Sequence, residues 1–245
     1  MIILPNHPLV KNYIPVPIEF QEDGHTYTLD GTMIPGTTTI TGQLDKPWLA
    51  GWKVKMLAEY INKNLMDIKC KAGVIEAGKK VANTRRDAAA DTGKQVHKWI
   101  EKYIQGETLP RPIDEGRIDR FLEWEKENKP IWIASEEIVV SRAHKYGGTL
   151  DALLGMRGRT FLGDIKTGGT IPDEAPLQLD GGYRIALKEC GVEPDASGIL
   201  HLPANGKAEW KEVEAPVELS QKAFLGLREA QKFHSWLENR KKGGK

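Results

Sequence analysis

Three residues have the types and spacing for metal-dependent phosphodiester chemistry: Asp151, Asp164 and Lys166. Asp151 lies in the run Gly-Gly-Thr-Leu-Asp-Ala-Leu-Leu, and Asp164 and Lys166 lie in Thr-Phe-Leu-Gly-Asp-Ile-Lys-Thr. Alternate residues of a strand share a face, so Asp164 and Lys166 point together while Ile165 points to the core. The turn at Arg157-Gly158-Arg159 is short enough to make the two runs a hairpin, which puts the carboxylates at neighbouring strand positions. Paired carboxylates repel unless a cation lies between them. Oxygen ligands suit magnesium, and a lysine beside them suits phosphate or water activation. An unpartnered acid inside an apolar strand is unfavourable. That weighs against a merely solvent-facing Asp151 or a strand-edge Asp164.

The flanking sequence must hold this hairpin in place. Residues 1–18 contain four prolines and no periodicity, and read as an extended arm. A small hairpin is expected around Asp30-Gly31. Pro47 opens a helix whose apolar residues Trp48, Leu49, Trp52, Met56 and Leu57 recur at helical spacing. A second helix covers about 70–90, and a third begins near Thr92 with Val96, Trp99, Ile100 and Tyr103 on its apolar face. A fourth, near 114–128, is stopped by Pro130. From Ile131 to Val140 the period changes to alternation with β-branched residues, which predicts a strand. After the hairpin, a helix is expected from about Asp173 to Cys190, then a strand from Ser197 to Pro203. Trp210 to Val213 pairs with that strand after the Asn205-Gly206 turn, and a long helix closes the chain. The expected organisation is one domain over 19–240: a helix-rich cap (19–130), a catalytic core (131–215) and a C-terminal helix (217–240).

At 245 residues, with 40% hydrophobic and 28% charged content, the chain can bury a substantial core. No run approaches the roughly 18 apolar residues of a membrane span. The N-terminal residues lack a basic segment followed by an apolar stretch, so a cytoplasmic protein with reduced thiols at Cys70 and Cys190 is expected. Thirty-five basic and 34 acidic residues give a net charge of +1, so any polyanion must be met by local charge. Lys79-Lys80 with Arg85-Arg86 form one basic cluster, either a solvated helix face or a DNA contact. Arg240-Lys241-Lys242 form another, read as a solvated tail. Seven tryptophans sit mostly in apolar helical stripes and read as core rather than base-stacking surface.

Four ordered motifs resemble the PD-(D/E)XK nuclease superfamily, in its RecB-like and phage-type exonuclease branch. Asp151 with Asp164-Ile165-Lys166 is similar to its core. Thr92-Gly93-Lys94-Gln95-Val96-His97, followed by Glu101, resembles the branch's Gly-x-x-x-His helix. Gln178-Leu179-Asp180-Gly181-Gly182-Tyr183 resembles its glutamine–tyrosine helix. His25, Tyr27, Gly31 and Pro35 to Thr39 resemble the opening of phage-encoded members. The resemblance implies an α/β fold of α+β type with a restriction-endonuclease-like core, its central mixed sheet flanked by helices and its N-terminal part a helical cap.

It also implies roles. Asp151, Asp164 and the Ile165 carbonyl would bind one or two magnesium or manganese ions, His97 would assist, and Lys166 would promote the nucleophile. Glu101 would orient His97 or reach metal through water. Glu136 and Glu137 point to opposite strand faces, and Glu137, sharing parity with Val139, is expected at the metal. Gln178 would position phosphate or water. The family separates its glutamine and tyrosine by four residues, whereas here the gap is five, which on an α-helix turns Tyr183 roughly 100° aside. His144, Lys145, Arg85 and Arg86 are candidates for contact with backbone phosphate. The Thr37 to Thr39 run either binds phosphate or forms an extended strand, and His201 and His234 do not read as ligands. The two cysteines cannot supply the four ligands of the iron–sulfur cluster some members carry, so none is expected. The implied activity is a DNA exonuclease in phage-type replication, recombination or repair, as a homo-oligomer or with a partner protein. A structure-specific endonuclease and an inactive nuclease-fold DNA-binding subunit are the alternatives.

Overall fold

The computed structural model describes residues 1–21, 26–64, 71–112 and 114–243. A small antiparallel sheet comes first: β1 (Glu19–Gln21), β2 (Thr26–Leu29) and β3 (Thr32–Ile34). Asp30 and Gly31, both at positive φ, make the tight β2–β3 turn, the conformation expected of this dipeptide in a two-residue hairpin loop. His25 lies outside the described residues. Helix α1 (Thr37–Thr41) follows, so the threonine run is helical rather than extended. Thr37 is buried and donates to the Gly147 carbonyl at 3.3 Å, while Thr38 and Thr39 face solvent.

Helices α2 (Pro47–Asn64), α3 (Lys71–Ile104) and α4 (Glu115–Asn128) complete the first half. Where two helices were expected, α3 is one helix of 34 residues. Nothing between Ala88 and Thr92 breaks it, and the Thr92 hydroxyl donates to the Ala88 carbonyl at 3.0 Å instead of capping a new helix. Asp114 caps α4, and Lys129 ends it in the left-handed conformation, its N–H reaching the Glu125 carbonyl at 2.7 Å.

The second half builds a five-stranded mixed sheet: β4 (Ile131–Ser141), β5 (Tyr146–Met156), β6 (Arg159–Lys166), β7 (Ala196–His201) and β8 (Glu209–Glu212), side by side in that order. Only the β6–β7 pair is parallel. Between those strands the chain crosses over through a π-helix, Leu177–Tyr183, continuous with α5 (Arg184–Glu189). The long α6 (Val217–Gly243) closes the fold.

Side-chain alternation divides the core between the two faces of this sheet. One face packs Leu150, Leu153, Leu162 and Ile199 beneath the π-helix, α5, α6 and α1, with Leu179, Tyr183, Leu187, Phe224 and Ile40. The other packs Ala152, Leu154, Phe161, Ile165 and Leu200 beneath α3 and α4. There Trp124 stacks on Trp210 with ring centroids 5.8 Å apart, and Trp132 adjoins Trp124. Gly198 admits the Trp210 ring, because a Cβ would fall 2.2 Å from it. The first residues lie along the outer edge of β4, with the Ile3 N–H bonded to the Ile133 carbonyl at 2.8 Å. They cover an otherwise unpaired strand edge. The chain is thus mixed α/β, with a five-stranded mixed sheet and a three-stranded antiparallel sheet flanked by helices. Among the described residues, no helix is long and apolar enough to cross a membrane.

Candidate metal centre

The β5–β6 ladder runs from Met156↔Arg159 to Ala152↔Gly163, so the next opposed pair is Asp151 and Asp164. There the two strands part. Strand β6 stays with β7, pairing Asp164 with Ile199 and Lys166 with His201. The Ile165 N–H donates instead to Asp151 Oδ2 at 2.7 Å. Asp151 is thereby fixed in the opening, with its carboxylate half-buried.

Two further groups converge on it. His97 of α3 brings Nδ1 to 3.5 Å from Asp151 Oδ2. Gly93, one turn earlier, lets α3 come this close, since a Cβ there would lie 2.9 Å from Thr167 Oγ1. Glu136 is the third. Ligand atoms of His97, Glu136 and Asp151 all lie within 4.8 Å of one another, an arrangement that can hold a metal ion. Burial, then the Asp151 and Glu101 carboxylates, push the Glu136 carboxyl up to about 8. A bound divalent cation would relieve that repulsion.

The acid that joins this candidate site is therefore Glu136, not Glu137 as alternation had suggested. Glu136 has φ +47°, and β4 already carries a register shift between Trp132 and Ala134. A left-handed residue in a strand breaks the two-residue rule between its two flanks, and Glu137 stays with Val139 on the side packed by Tyr13 rather than at the carboxylates. Glu137 goes under the N-terminal arm, where it accepts from the Tyr13 hydroxyl at 2.8 Å and pairs with the Met1 amino group at 2.9 Å.

Asp164 is 3% exposed, and both its oxygens lie close to Lys166 Nζ, at 2.8 and 2.7 Å. Only Oδ1 accepts a hydrogen bond; Oδ2 is buried, within ion-pair distance but without a donor aimed at it. Burial pushes the Asp164 carboxyl up to about 6, against the pull of Lys166. Burial works against the Lys166 ammonium as well, yet Asp164 and Asp151 outweigh it and hold its pKa above the ordinary value. Lys166 is a fixed cation. The underused Asp164 oxygen, the crowded Glu136 and the oxygen-plus-imidazole donor set all fit a divalent ion.

Gln178 and Tyr183 do meet, despite the five-residue gap. The π-helix bonds residues five apart, so it brings them onto one side, and Gln178 Nε2 donates to the Tyr183 hydroxyl at 2.6 Å. Burial raises the phenol pKa, with Asp151 and Asp164 close enough to add to the effect. Gly148 on β5 makes the room: a Cβ there would fall 2.5 Å from the Tyr183 ring. Asp180 is occupied elsewhere, in a buried pair with Arg184 at 2.9 Å and a bond from Ser197 at 2.6 Å.

Four expected substrate contacts are not part of this cluster. Arg85 pairs with Glu59 at 3.3 Å and Arg86 with the neighbouring Asp87 at 2.9 Å. His144 and Lys145 form the β4–β5 turn, six residues or roughly 20 Å along β5 from Asp151. Their carbonyls are held by Arg228 of α6.

Conversely, sequence reading missed the residues that brace the end of β6. Arg117 of α4 donates to the Thr167 carbonyl at 2.9 Å and the Leu202 carbonyl at 3.0 Å, and pairs with Asp114. His201 Nε2 lies 2.8 Å from the Gly168 carbonyl. Glu174, paired with Lys46, lies near enough to Lys166 to raise its pKa further. No local pattern marks these residues, because their partners are far away in the chain.

No family model matches the chain, and no curated protein matches it. Among solved structures it is similar to the crystal structure of SSO0001, at 12% identity and a TM-score of 0.35 over 73% of this chain and 84% of that one.

Proposed function

We propose that this protein is a divalent-metal-dependent deoxyribonuclease of the PD-(D/E)XK type, built on a restriction-endonuclease-like core and acting as an exonuclease on linear DNA. The observation that carries the reading is the meeting of His97, Glu136 and Asp151 beside the Asp164–Lys166 pair, where β5 and β6 part. His97, Glu136 and Asp151 would hold the ion, with Asp164 and the Ile165 carbonyl beside it. Magnesium suits the carboxylates, and the imidazole favours manganese further. A bound ion neutralises phosphate charge and makes water a better nucleophile at neutral pH.

The chain's own groups supply the rest. Lys166, kept protonated by Asp164, presents a compact positive charge to the phosphate and the attacking oxygen. Gln178, steadied by the Tyr183 hydroxyl, orients the water or a phosphate oxygen. His97 is steered by the Asp151 carboxylate, which the Ile165 amide fixes in turn. A role in phage-type DNA replication, recombination or repair in the cytoplasm, alone or with a partner protein, fits this chemistry.

The test uses end-labelled linear single- and double-stranded DNA beside a covalently closed circle. Each is incubated with magnesium, manganese or chelator, with Lys166→Ala in parallel. Metal-dependent loss of the linear substrates alone, absent in the variant, is the expected result. Cleavage of the circle would make the enzyme an endonuclease. Intact DNA in every lane with folded protein would reject the hydrolytic reading.

A further inference from the structure

An open cleft of about 360 Å³ lies beside the chain that follows Lys166. One wall is Ala88, Ala89 and Thr92 of α3; the other is the chain just after Lys166, from Thr167 to Gly169. Resting on the nuclease reading above, we infer that this cleft holds the sugar and base of the nucleotide adjoining the scissile phosphate, and holds it without reading which base it is.

Position is the first argument. Thr167 follows Lys166 directly, and Thr92 precedes His97 by five residues, a rise of roughly 7.5 Å along α3. A strand whose phosphate lies between His97 and Lys166 leads its neighbouring nucleotide straight into this space.

Charge is the second. The cleft contains Asp114 and Arg117, but they pair with each other, and Arg117 also donates from Nε to the Leu202 carbonyl and from one terminal nitrogen to the Thr167 carbonyl. No net charge remains to hold a phosphate, so the uncharged part of a nucleotide is the better occupant. The Thr167 hydroxyl, and the Thr92 hydroxyl oxygen as an acceptor once its proton goes to the Ala88 carbonyl, suit a sugar.

Shape is the third. Alanines and glycines leave the space open, and it is of the size of small-ligand sites. The lining offers neither an aromatic ring nor a free amide or guanidinium fork, the groups that distinguish base edges. The wall is also preformed: Arg117 and His201 tie down Thr167 and Gly168, and the Leu202 N–H holds the Lys166 carbonyl at 2.8 Å.

Ala89 and Ala88 are exposed on a long helix, so Ala89→Trp and Ala88→Trp fill the cleft without disturbing the core. The probe is fluorescein-labelled hexathymidylate, its affinity read by anisotropy in calcium, with manganese affinity measured separately by calorimetry. Both variants should bind the oligonucleotide about tenfold more weakly, equivalent to ~1.4 kcal/mol, with unchanged manganese affinity. Wild-type protein should bind hexadeoxyadenylate and hexadeoxycytidylate within about threefold of hexathymidylate, a spread below ~0.7 kcal/mol. Unchanged oligonucleotide affinity in both variants would overturn the inference, as would a parallel loss of manganese binding. Oligonucleotide binding that the tryptophans abolish, in a protein that cuts no DNA, would uphold the subsite while rejecting the nuclease.

Discussion

Gly148→Ala tests whether the π-helix and the carboxylate hairpin are locked together as described. The new Cβ would lie 2.2 Å from Thr37 Oγ1 and 2.5 Å from the Tyr183 ring, more than 1 Å inside the usual ~3.5–4.0 Å carbon contact. Neither neighbour can recede easily. Thr37 is bonded to the Gly147 carbonyl, and Tyr183 is 4% exposed and bonded to Gln178. Overpacking of this kind costs about 1–3 kcal/mol, and the stiffer unfolded chain returns roughly 0.4–1 kcal/mol. The expected net loss is roughly 1.3 kcal/mol, or about 3–5 °C in Tm for a chain of this length. Gly155→Ala, on the same strand, is the control: its nearest new contact is Ile131 Cβ at 3.6 Å, an ordinary distance. It should melt within about 2 °C of wild type, as surface changes away from special features do. Thr37→Ala removes the closer clash, so the Thr37→Ala/Gly148→Ala double variant should recover about 1 kcal/mol relative to additivity. Differential scanning calorimetry reads all four proteins. Equal Tm values for Gly148→Ala and Gly155→Ala would refute the reasoning.

Three more outcomes follow from the site. Glu136→Gln should weaken manganese binding at least about tenfold by calorimetry, ~1.4 kcal/mol, whereas Glu137→Gln should leave it within twofold. In chelator, stability should fall as pH rises from about 4.5 towards about 8, because folding raises the Glu136 pKa and the folded state holds more protons in that window. The slope is at most ~1.4 kcal/mol per pH unit for each such proton, and manganese should raise Tm most at the alkaline end; a Tm that rises with pH in chelator would contradict the burial of Glu136. Arg117→Ala deprives the Thr167 and Leu202 carbonyls of a donor and leaves Asp114 unpaired, which should lower unfolding free energy in urea by roughly 3 kcal/mol.

The hairpin bearing Asp151 and Asp164 was legible because strand alternation and a two-residue turn are local rules. The identity of the third acid was not: one left-handed residue at Glu136 exchanges the faces of neighbouring side chains, and composition gives no sign of it. The Gln178–Tyr183 contact escaped helical arithmetic for a related reason, since a five-residue gap is misaligned on an α-helix and aligned on a π-helix. Glycines carried more information than spacing showed. Gly93, Gly148 and Gly182 each stand where a Cβ would strike a neighbouring element, so they record close approaches that only the fold explains. The basic pair Arg85 and Arg86 stands apart from the carboxylates, each arginine paired with an exposed acid on the helices around it.

The indole cluster on the α3–α4 side of the sheet has an optical consequence. Trp124, Trp132 and Trp210 enclose a small space shared with Asp164 and Ile165, directly behind the carboxylates. Their rings lie about 6 Å apart, close enough to exchange excitation, and Trp124 and Trp210 have buried N–H groups without a hydrogen-bond partner. Emission from such indoles is short in wavelength and responds to a nearby change in charge. The protein therefore carries an intrinsic fluorescent reporter one layer from its candidate metal centre, and a titration with magnesium or manganese can be followed without any label.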